Sequence, residues 1–202
     1  MSAKQRNVRK AKADTREYAK VKQVMVEAAV ELMAGEGFRK FRFEQLAEKV
    51  GYNRATIYRY FDSKRDLTSA VMMALMQEIT ADIIRQTAGN HVTRESFTES
   101  LYQIVIKLRT HPRYAIVMDA HNIETFARLS REYFSDITTR MLEKFLVADS
   151  AQPMLKPGLN MHETVDWLMH QIISYGFLGI PGDDPQQQKS YLNKMVVSVI
   201  LD

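Results

Sequence analysis

Apolar residues recur every three or four positions along most of this 202-residue sequence, and no stretch sustains the apolar-polar alternation of a half-buried strand. Such spacing predicts amphipathic helices, because it places the apolar side chains on one helix face. With 46% apolar residues, the chain is long enough to bury a sizeable core. We therefore expect an all-α protein, with either one domain or a small domain joined to a larger one.

Glycine and capping residues indicate where the helices begin and end. Gly35 and Gly37 are expected to end the first helix. Asn160 and Asp184 can accept hydrogen bonds from the free amides of later helices and so mark their starts. The predicted helices lie at about 14–35, 43–50, 54–60, 64–88, 94–109, 112–127 with a break, 130–148, 161–180 and 185–201.

The net charge is unevenly distributed along the chain. Residues 1–66 contain 16 Lys and Arg against 9 Asp and Glu, a net charge of +7, whereas residues 67–202 contain 12 against 15, a net charge of −3. A basic segment of this kind favours contact with a polyanion. A solvated charged surface is the alternative, and it has less weight because the basic excess coincides with a sequence motif.

Residues 43–61 have the spacing of a helix-turn-helix. Ala47 is small enough for two helices to cross closely, and Gly51 tolerates the positive φ of a sharp turn. Asn53 can accept hydrogen bonds from the first free amides of a helix that begins at Arg54. The inward faces of the two short helices are supplied by Phe43, Leu46, Val50, Ile57 and Phe61.

A second helix of this kind can lie in the major groove of DNA with its N-terminal residues at the base edges. Arg can bind guanine, and the methyl groups of Thr or Ala can contact thymine. The candidates for base contact are Arg54, Ala55, Thr56 and Arg59. Polar side chains around this helix can bind phosphate and fix its register. The remaining DNA-binding candidates are Arg42, the expected cap Asn53, Tyr58, Tyr60 and Lys64.

The segment FEQLAEKVGYNRATIYRYFDSKRDL closely resembles the DNA-binding domain of tetracycline-repressor (TetR) family transcriptional regulators. The resemblance covers residues 18–67. The chain departs from the family pattern at Tyr52, at Asn53 and at Phe41-Arg42, where Arg42 can replace a missing hydroxyl contact to phosphate. The family positions are otherwise occupied by Ala47, Gly51, Ile57, Tyr58, Tyr60, Phe61, Lys64 and Leu67.

The resemblance implies an N-terminal three-helix helix-turn-helix domain and a C-terminal helical domain that binds a ligand and dimerises. We assign residues 1–15 to a flexible basic arm, 16–66 to the DNA-binding domain and 67–202 to the effector-binding and dimerisation domain. The arm can enter the adjacent minor groove or stay solvated, and both alternatives are open. Because the last two helices of similar proteins pair with their copies, the expected interface includes Met169, Ile173, Phe177, Met195 and Val199, although a plain core would also explain these apolar stripes.

The same resemblance implies that a small-molecule effector binds in the C-terminal domain. The chain contains 12 Met residues, which can form pliable apolar walls, so we predict an apolar or aromatic ligand. Each candidate pocket residue could instead be an ordinary core residue. The candidates are Tyr102, Met118, His121, Phe126, Met141, Phe145, Trp167 and Gln171.

Several other classes of function have no motif in this sequence. The chain has no cysteine, and His162 and His170 have no third ligand at a suitable spacing, so we predict no metal site. No nucleophile elbow or phosphate-binding loop occurs, so we predict neither an enzyme nor a cofactor. The apolar run Met195–Leu201 is too short to span a membrane and the N-terminus lacks the apolar middle of a signal peptide, so we expect a soluble cytoplasmic protein.

These observations together predict a homodimeric transcriptional regulator that binds a palindromic DNA operator without entering a membrane. We expect it to be a repressor that a small-molecule effector releases from the operator. The alternative is a DNA-organising protein that binds without sequence preference and with a steep dependence on salt. An enzyme that uses a C-terminal cavity is the remaining alternative.

Overall fold

The computed structural model describes residues 3–87, 93–114, 116–129 and 155–201, together with residue 139. Within these residues the only β-type pairing is a single bridge between Leu155 and Leu201, and the predicted all-α class is confirmed. The helices are α1 (Ala3–Glu36), α2 (Phe43–Val50), α3 (Arg54–Tyr60), α4 (Lys64–Thr87), α5 (Arg94–Thr110), α6 (Ile123–Leu129), α7 (Met161–Leu178), α8 (Pro185–Leu192) and α9 (Ser198–Ile200).

The chain divides into two compact units, Met1–Ala74 and Leu75–Asp202, which we call the N-terminal and C-terminal units. The division falls within α4, so one continuous helix belongs to both units. We predicted the boundary slightly earlier, between residues 66 and 67. None of the helices in the described part of the chain combines the length and the apolar character needed to cross a membrane.

The N-terminal unit has a mainly apolar core, built from the inward faces of its helices. On α1, residues spaced by three and four positions are buried, as the periodicity predicts. The short helices α2 and α3 add side chains to the same core, and the first turns of α4 close it. The core includes Met25, Ala29, Val30, Met33, Phe43, Leu46, Ile57, Phe61, Leu67 and Val71.

Helix α1 is longer at both ends than the sequence predicted. It begins at Ala3 rather than near residue 14, because the Ala, Lys, Gln and Arg residues of this stretch are favourable helix formers. This helical backbone differs from the flexible arm that we expected at residues 1–15. At the other end Gly35 is still helical, and Gly37, with φ 86°, ends α1 as its amide donates to the Met33 carbonyl at 3.0 Å.

The C-terminal unit joins its helices through half-buried ionic and hydrogen-bonded contacts. The Glu78 carboxylate of α4 accepts from the Arg113 Nε at 3.0 Å and from the Tyr114 hydroxyl at 2.8 Å. One turn further along α4, Asp82 is paired with Lys107 of α5. Helix α5 in turn contacts the end of α7, where Arg109 donates to the Gly176 carbonyl at 2.9 Å.

Two of the helices predicted for the C-terminal unit are wrong in detail. In place of a helix over 112–127, short 3₁₀ turns at Pro112–Tyr114 and Ala120–Asn122 precede α6, because Asp119 accepts from the His121 amide and Asn122 donates to the Ile116 carbonyl. The predicted helix 185–201 is interrupted by a π-helical segment at Asn193–Val197. The predicted helix 130–148 lies outside the described residues, apart from residue 139.

Candidate nucleic-acid interface

The turn between α2 and α3 has the geometry that its sequence predicts. Gly51 follows α2 with φ 72° and ψ 24°, a left-handed conformation that glycine adopts without strain. The amide of Tyr52 then donates to the Ala47 carbonyl at 3.0 Å and closes the end of α2. Asn53 has an extended backbone, and its side-chain oxygen accepts from the Thr56 amide at 2.8 Å. Helix α3 therefore begins at Arg54, as predicted.

Most of the predicted DNA-contact residues on α3 form one exposed surface. Asn53, Arg54, Ala55, Tyr58 and Arg59 are all exposed, whereas Ile57 is fully buried and attaches the helix to the core. Thr56 differs from this group, since it is half-buried and its hydroxyl donates to the side-chain oxygen of Asn53 at 2.9 Å. The Thr56 hydroxyl therefore uses its donor within the turn, and a base contact by Thr56 stays a prediction.

Arg54 is held by partners on both helices. Its Nη1 lies 2.8 Å from Glu44 Oε1 of α2, and its Nη2 donates to the Tyr58 hydroxyl at 3.2 Å. The guanidinium carbon also lies 5.4 Å from the centroid of the Tyr58 ring. The hydrogen bond to Tyr58, followed by the charge of Glu44, raises the pKa of Arg54 above its ordinary value. The guanidinium therefore keeps its positive charge on the exposed surface.

The two tyrosines of α3 differ in their surroundings. The Tyr58 ring is 41% exposed and packs against Phe43 at 5.0 Å between centroids, so its hydroxyl can reach a ligand in solvent. Tyr60 is half-buried and stacks on Tyr18 of α1 with centroids 4.4 Å apart. Of the two, Tyr58 has the better position for binding phosphate, while Tyr60 joins α3 to α1.

Lys64 occupies a different environment from the one we expected. Its ammonium donates to the carbonyl oxygens of Phe38 and Phe41 at 2.8 and 3.2 Å, and it lies 4.4 Å from the centroid of the Phe38 ring. Burial lowers the pKa of this ammonium. Lys64 thus joins the first residue of α4 to the loop between α1 and α2, and a phosphate contact by Lys64 stays a prediction.

Arg42 is exposed and lies directly before α2, where its amide donates to the Gln45 side chain at 2.8 Å. The Gln45 amide group in turn donates to Glu36 at the end of α1, at 2.6 Å. Sequence reasoning missed Gln45 and Glu44 as residues that fix this surface. The signal for Gln45 was its position as the third residue of α2, where a side chain can accept a hydrogen bond from the amide of Arg42, the residue before the helix.

The structure places the predicted effector-pocket residues of the C-terminal unit in different environments. Tyr102 and Phe126 are buried, Met118, Trp167 and Gln171 are half-buried, and His121 is exposed with its Nδ1 2.9 Å from Asp119. The Met118 sulfur approaches α7 so closely that a Cβ atom on Gly176 would lie 2.6 Å from it. Met141 and Phe145 lie outside the described residues.

Two surface clefts of the C-terminal unit are not lined by any of these predicted residues. One, of about 300 Å³, lies between α4 and α5 and is lined by Asp82, Ser100, Gln103 and Lys107 among others. The second, of about 550 Å³, adjoins the start of α8 and includes Gln187 and Tyr191. Across the described ranges, three or more His, Asp or Glu side chains are nowhere grouped closely enough to hold a metal ion.

The predicted dimer-interface residues show a gradient of exposure. Met169 is buried, Ile173 and Phe177 are half-buried, and Met195 and Val199 are 54% and 49% exposed. The π-helical segment shifts the buried stripe of the last helix, so that Val196 and Val197 pack inward instead of Met195. Apolar side chains of this size on a surface are candidates for a protein contact.

Comparison with known proteins identifies the family. Residues 25–71 match the family model of bacterial regulatory proteins of the tetR family. This segment belongs to the TetR family. A TetR-family transcriptional regulator from Pectobacterium atrosepticum has the same fold, with a TM-score of 0.70 and 12% identity over 93% of this chain and 97% of that chain. The regulator RolR in complex with resorcinol has a TM-score of 0.65 and 15% identity over 90% of each chain.

Among curated proteins, the nucleoid occlusion factor SlmA of Actinobacillus pleuropneumoniae serotype 5b is 26% identical over 100 residues. That match covers 49% of this chain, and the chain spans about half the length of the curated relatives it matches. The TetR-family match of residues 25–71 contains α2, α3 and the first turns of α4. The predicted family membership and helix-turn-helix fold are confirmed.

Proposed function

We propose that this TetR-family regulator is a repressor that binds a palindromic DNA operator through α3. The observation that carries the proposal is the exposed surface of Arg54, Ala55, Tyr58 and Arg59, held on a buried helix-turn-helix core. This surface lies in the segment 1–66, whose net charge is +7. Arg54 and Arg59 would contact base edges, while Tyr58, Asn53 and Arg42 would bind phosphate. Because its ligand is chromosomal DNA, we propose a cytoplasmic location.

Fragmented genomic DNA presents every candidate operator at once and so tests this proposal directly. Purified protein is mixed with the fragments, and the retained fragments are sequenced beside those of a Tyr58→Ala/Arg59→Ala variant. We expect the wild-type protein to retain a few fragments that share an inverted repeat, and the variant to lose them. Uniform retention that disappears with salt would contradict sequence-specific binding.

A small-molecule effector is the second part of the proposal. RolR binds resorcinol, an aromatic diol, in the structure compared above. That complex supports an aromatic ligand for this chain as well. Tyr102, Phe126 and Trp167 would supply the aromatic surface and Gln171 a polar contact. A thermal-shift screen of aromatic and polar compounds tests this, followed by operator release with each hit. Hits confined to polar metabolites would contradict the aromatic preference, and tight binding without operator release would contradict the coupling.

Homodimerisation is the third part of the proposal, because two copies of α3 can bind two half-sites about 34 to 36 Å apart. The exposed side chains of Met195 and Val199 support a contact with a second copy. A Met195→Glu/Val199→Glu variant would place charges at that contact. We expect sedimentation to give a dimer for the wild-type protein and a monomer for the variant; a dimer in both would exclude this face.

A DNA-organising function is the alternative, and the curated relatives favour it because they are named nucleoid occlusion factors. Under this alternative the basic N-terminal segment would bind DNA through its phosphates. The genomic experiment separates the two functions, since a DNA-organising protein without sequence preference would retain fragments uniformly.

A further inference from the structure

Glu44 is an acidic residue on the basic surface formed by α2 and α3. It lies in the first turn of α2, and its side chain is 56% exposed. A carboxylate at this place repels DNA phosphates, so it weakens binding unless it acts on another residue. Its partner is Arg54, the first residue of α3, whose Nη1 lies 2.8 Å from the Glu44 Oε1.

The Glu44 contact fixes the direction of Arg54. An unpaired arginine at a helix start has several rotatable bonds and can reach phosphates on either strand. Here one end of the guanidinium is bonded to Glu44 and the other to Tyr58, whose ring is supported by Phe43. Glu44 and Tyr58 accept from only some of the N–H groups of the Arg54 guanidinium, and its other N–H groups can donate to a base.

The contact also compensates the charge of Arg54. Sequence-independent binding to DNA depends on the number of phosphates that basic side chains neutralise. A guanidinium that is already paired with a carboxylate contributes less to that number. Hydrogen bonds to guanine O6 and N7 require a guanidinium with a fixed orientation. The pairing of Arg54 with Glu44 supplies that orientation and so favours contact with a base.

We propose that Glu44 is a positioning residue that directs Arg54 toward base edges and keeps it from phosphates, and thereby sets the sequence specificity of this regulator. The inference rests on the proposed DNA-binding function. Glu44 also lies where the α2 dipole favours a negative charge, so its experiment needs a control for a purely structural effect. The Arg54→Gln background supplies that control, because the dipole effect of Glu44 does not depend on Arg54, and Glu48, which is exposed and lies one turn further along α2, controls for the loss of one negative charge.

The experiment measures two affinities for each variant. One is for a fragment recovered from genomic DNA, and the other is for a scrambled fragment of the same length, each over a series of salt concentrations. The proteins are the wild type, Glu44→Gln, Glu48→Gln, Arg54→Gln and the double variant Glu44→Gln/Arg54→Gln. Circular dichroism establishes that each variant is folded before its affinities are compared.

We expect Glu44→Gln to tighten binding to scrambled DNA and to steepen its logarithmic salt slope by ~0.9, the contribution of one more phosphate. The ratio of recovered to scrambled affinity should fall about fivefold or more, since one bidentate contact to a base gives discrimination of this size. Glu48→Gln should shift both affinities equally and preserve the ratio. In the Arg54→Gln background, the Glu44 substitution should no longer change the ratio.

An unchanged ratio in Glu44→Gln would overturn the inference, as would an equal fall in the presence and absence of Arg54. Failure of the proposed function looks different, because the wild-type protein would then bind the recovered and scrambled fragments with the same affinity. That result would overturn the DNA-binding proposal and this inference together.

Discussion

The two units of this regulator use charged side chains for different purposes. In the N-terminal unit, the pair of Glu44 and Arg54 lies on an exposed surface, where water and salt screen it and where it orients a side chain toward a ligand in solvent. In the C-terminal unit, Glu78 is bonded to Arg113 and Tyr114 where these side chains are partly withdrawn from water, and the contacts join α4 to the turn after α5. The exposed pair orients a side chain for binding, whereas the half-buried pairs maintain the fold.

The largest expected effect tests whether the two units unfold separately. Ile57 in the N-terminal unit and Leu192 in the C-terminal unit are both fully buried, so Ile57→Ala and Leu192→Ala should each destabilise their own unit by ~2–5 kcal/mol. The single tryptophan, Trp167, lies in the C-terminal unit and reports on it by fluorescence. Ile57→Ala should therefore shift the denaturation curve seen by circular dichroism but not the fluorescence curve.

Leu192→Ala is the control for Ile57→Ala. Because Leu192 and Trp167 lie in the same unit, this variant should shift the denaturation curve measured by fluorescence at the same protein concentration. Equal shifts of both curves by Ile57→Ala would show that the two units unfold as one. The difference between the two units would then concern the charged side chains on their surfaces and not their stability.

A second prediction compares two lysines of the N-terminal unit. Lys64 donates to two backbone carbonyl oxygens, whereas Lys49 forms an exposed pair with Glu31 at 2.9 Å. Lys64→Ala leaves carbonyl groups without their donor and should cost ~1–3 kcal/mol of unfolding free energy. Lys49→Ala removes a surface ion pair and should cost only about 0–1 kcal/mol. Urea denaturation followed by circular dichroism measures both; equal costs would show that Lys64 has no special structural role.

A third prediction compares the same capping residue in the two units. Asn53 accepts from the Thr56 amide at 2.8 Å, and Asn160 accepts from the Glu163 amide at 2.9 Å. Each change to Ala should cost ~0.5–2 kcal/mol, because the helix loses its N-terminal hydrogen bond. Asn53→Ala should weaken DNA binding and leave the Trp167 fluorescence curve unchanged, and Asn160→Ala should do the reverse. Loss of DNA binding in Asn160→Ala would indicate that capping in one unit affects the other.

The smallest effect is the dependence of the C-terminal unit on acid. Burial alone would raise the pKa of Glu78, but hydrogen bonds from Arg113 and Tyr114 outweigh it and lower the pKa below the ordinary 4.5. The hydrogen bond from Lys107 likewise lowers the pKa of Asp82 below 3.8. Depressed carboxyl pKa values stabilise the folded state above the unfolded pKa, and this stabilisation is lost as pH falls through the folded pKa.

Urea denaturation followed by Trp167 fluorescence between pH 6 and pH 3 should therefore show falling stability below about pH 4.5. Glu78→Gln removes one of the titrating groups, so its unfolding free energy should be lower at pH 6 and should fall less steeply in acid. Glu163→Gln, at the start of α7, is the matched control. An acid limb of the same slope in the wild type and in Glu78→Gln would show that Glu78 does not contribute.

The sequence predicted the N-terminal unit more completely than the C-terminal unit. The helix-turn-helix depends on local chemistry that can be read from single residues, as Gly51 in the left-handed turn and Asn53 at the start of α3 illustrate. What the motif could not predict were tertiary partners, since the contacts of Arg54 with Glu44 and of Lys64 with two carbonyl groups depend on how the helices cross.

The sequence of the C-terminal unit carries no comparable motif. Helical periodicity predicted α5, α7 and α8, whose caps are local. It did not predict the turns before α6, which depend on the side chains of Asp119 and Asn122, or the π-helical segment in the last helix. When apolar residues share one face of a helix, their periodicity alone cannot show which of them belong to the core, which line a pocket and which form an interface.

The measurement that tests the central claim most directly is a footprint of the protein on a fragment recovered from genomic DNA. Wild-type protein and the Tyr58→Ala/Arg59→Ala variant are compared by chemical modification of bases in the major groove. If α3 recognises an operator, the wild type should protect two symmetry-related patches of bases and the variant should protect neither. Uniform protection without symmetry, or protection that survives in the variant, would contradict recognition through α3.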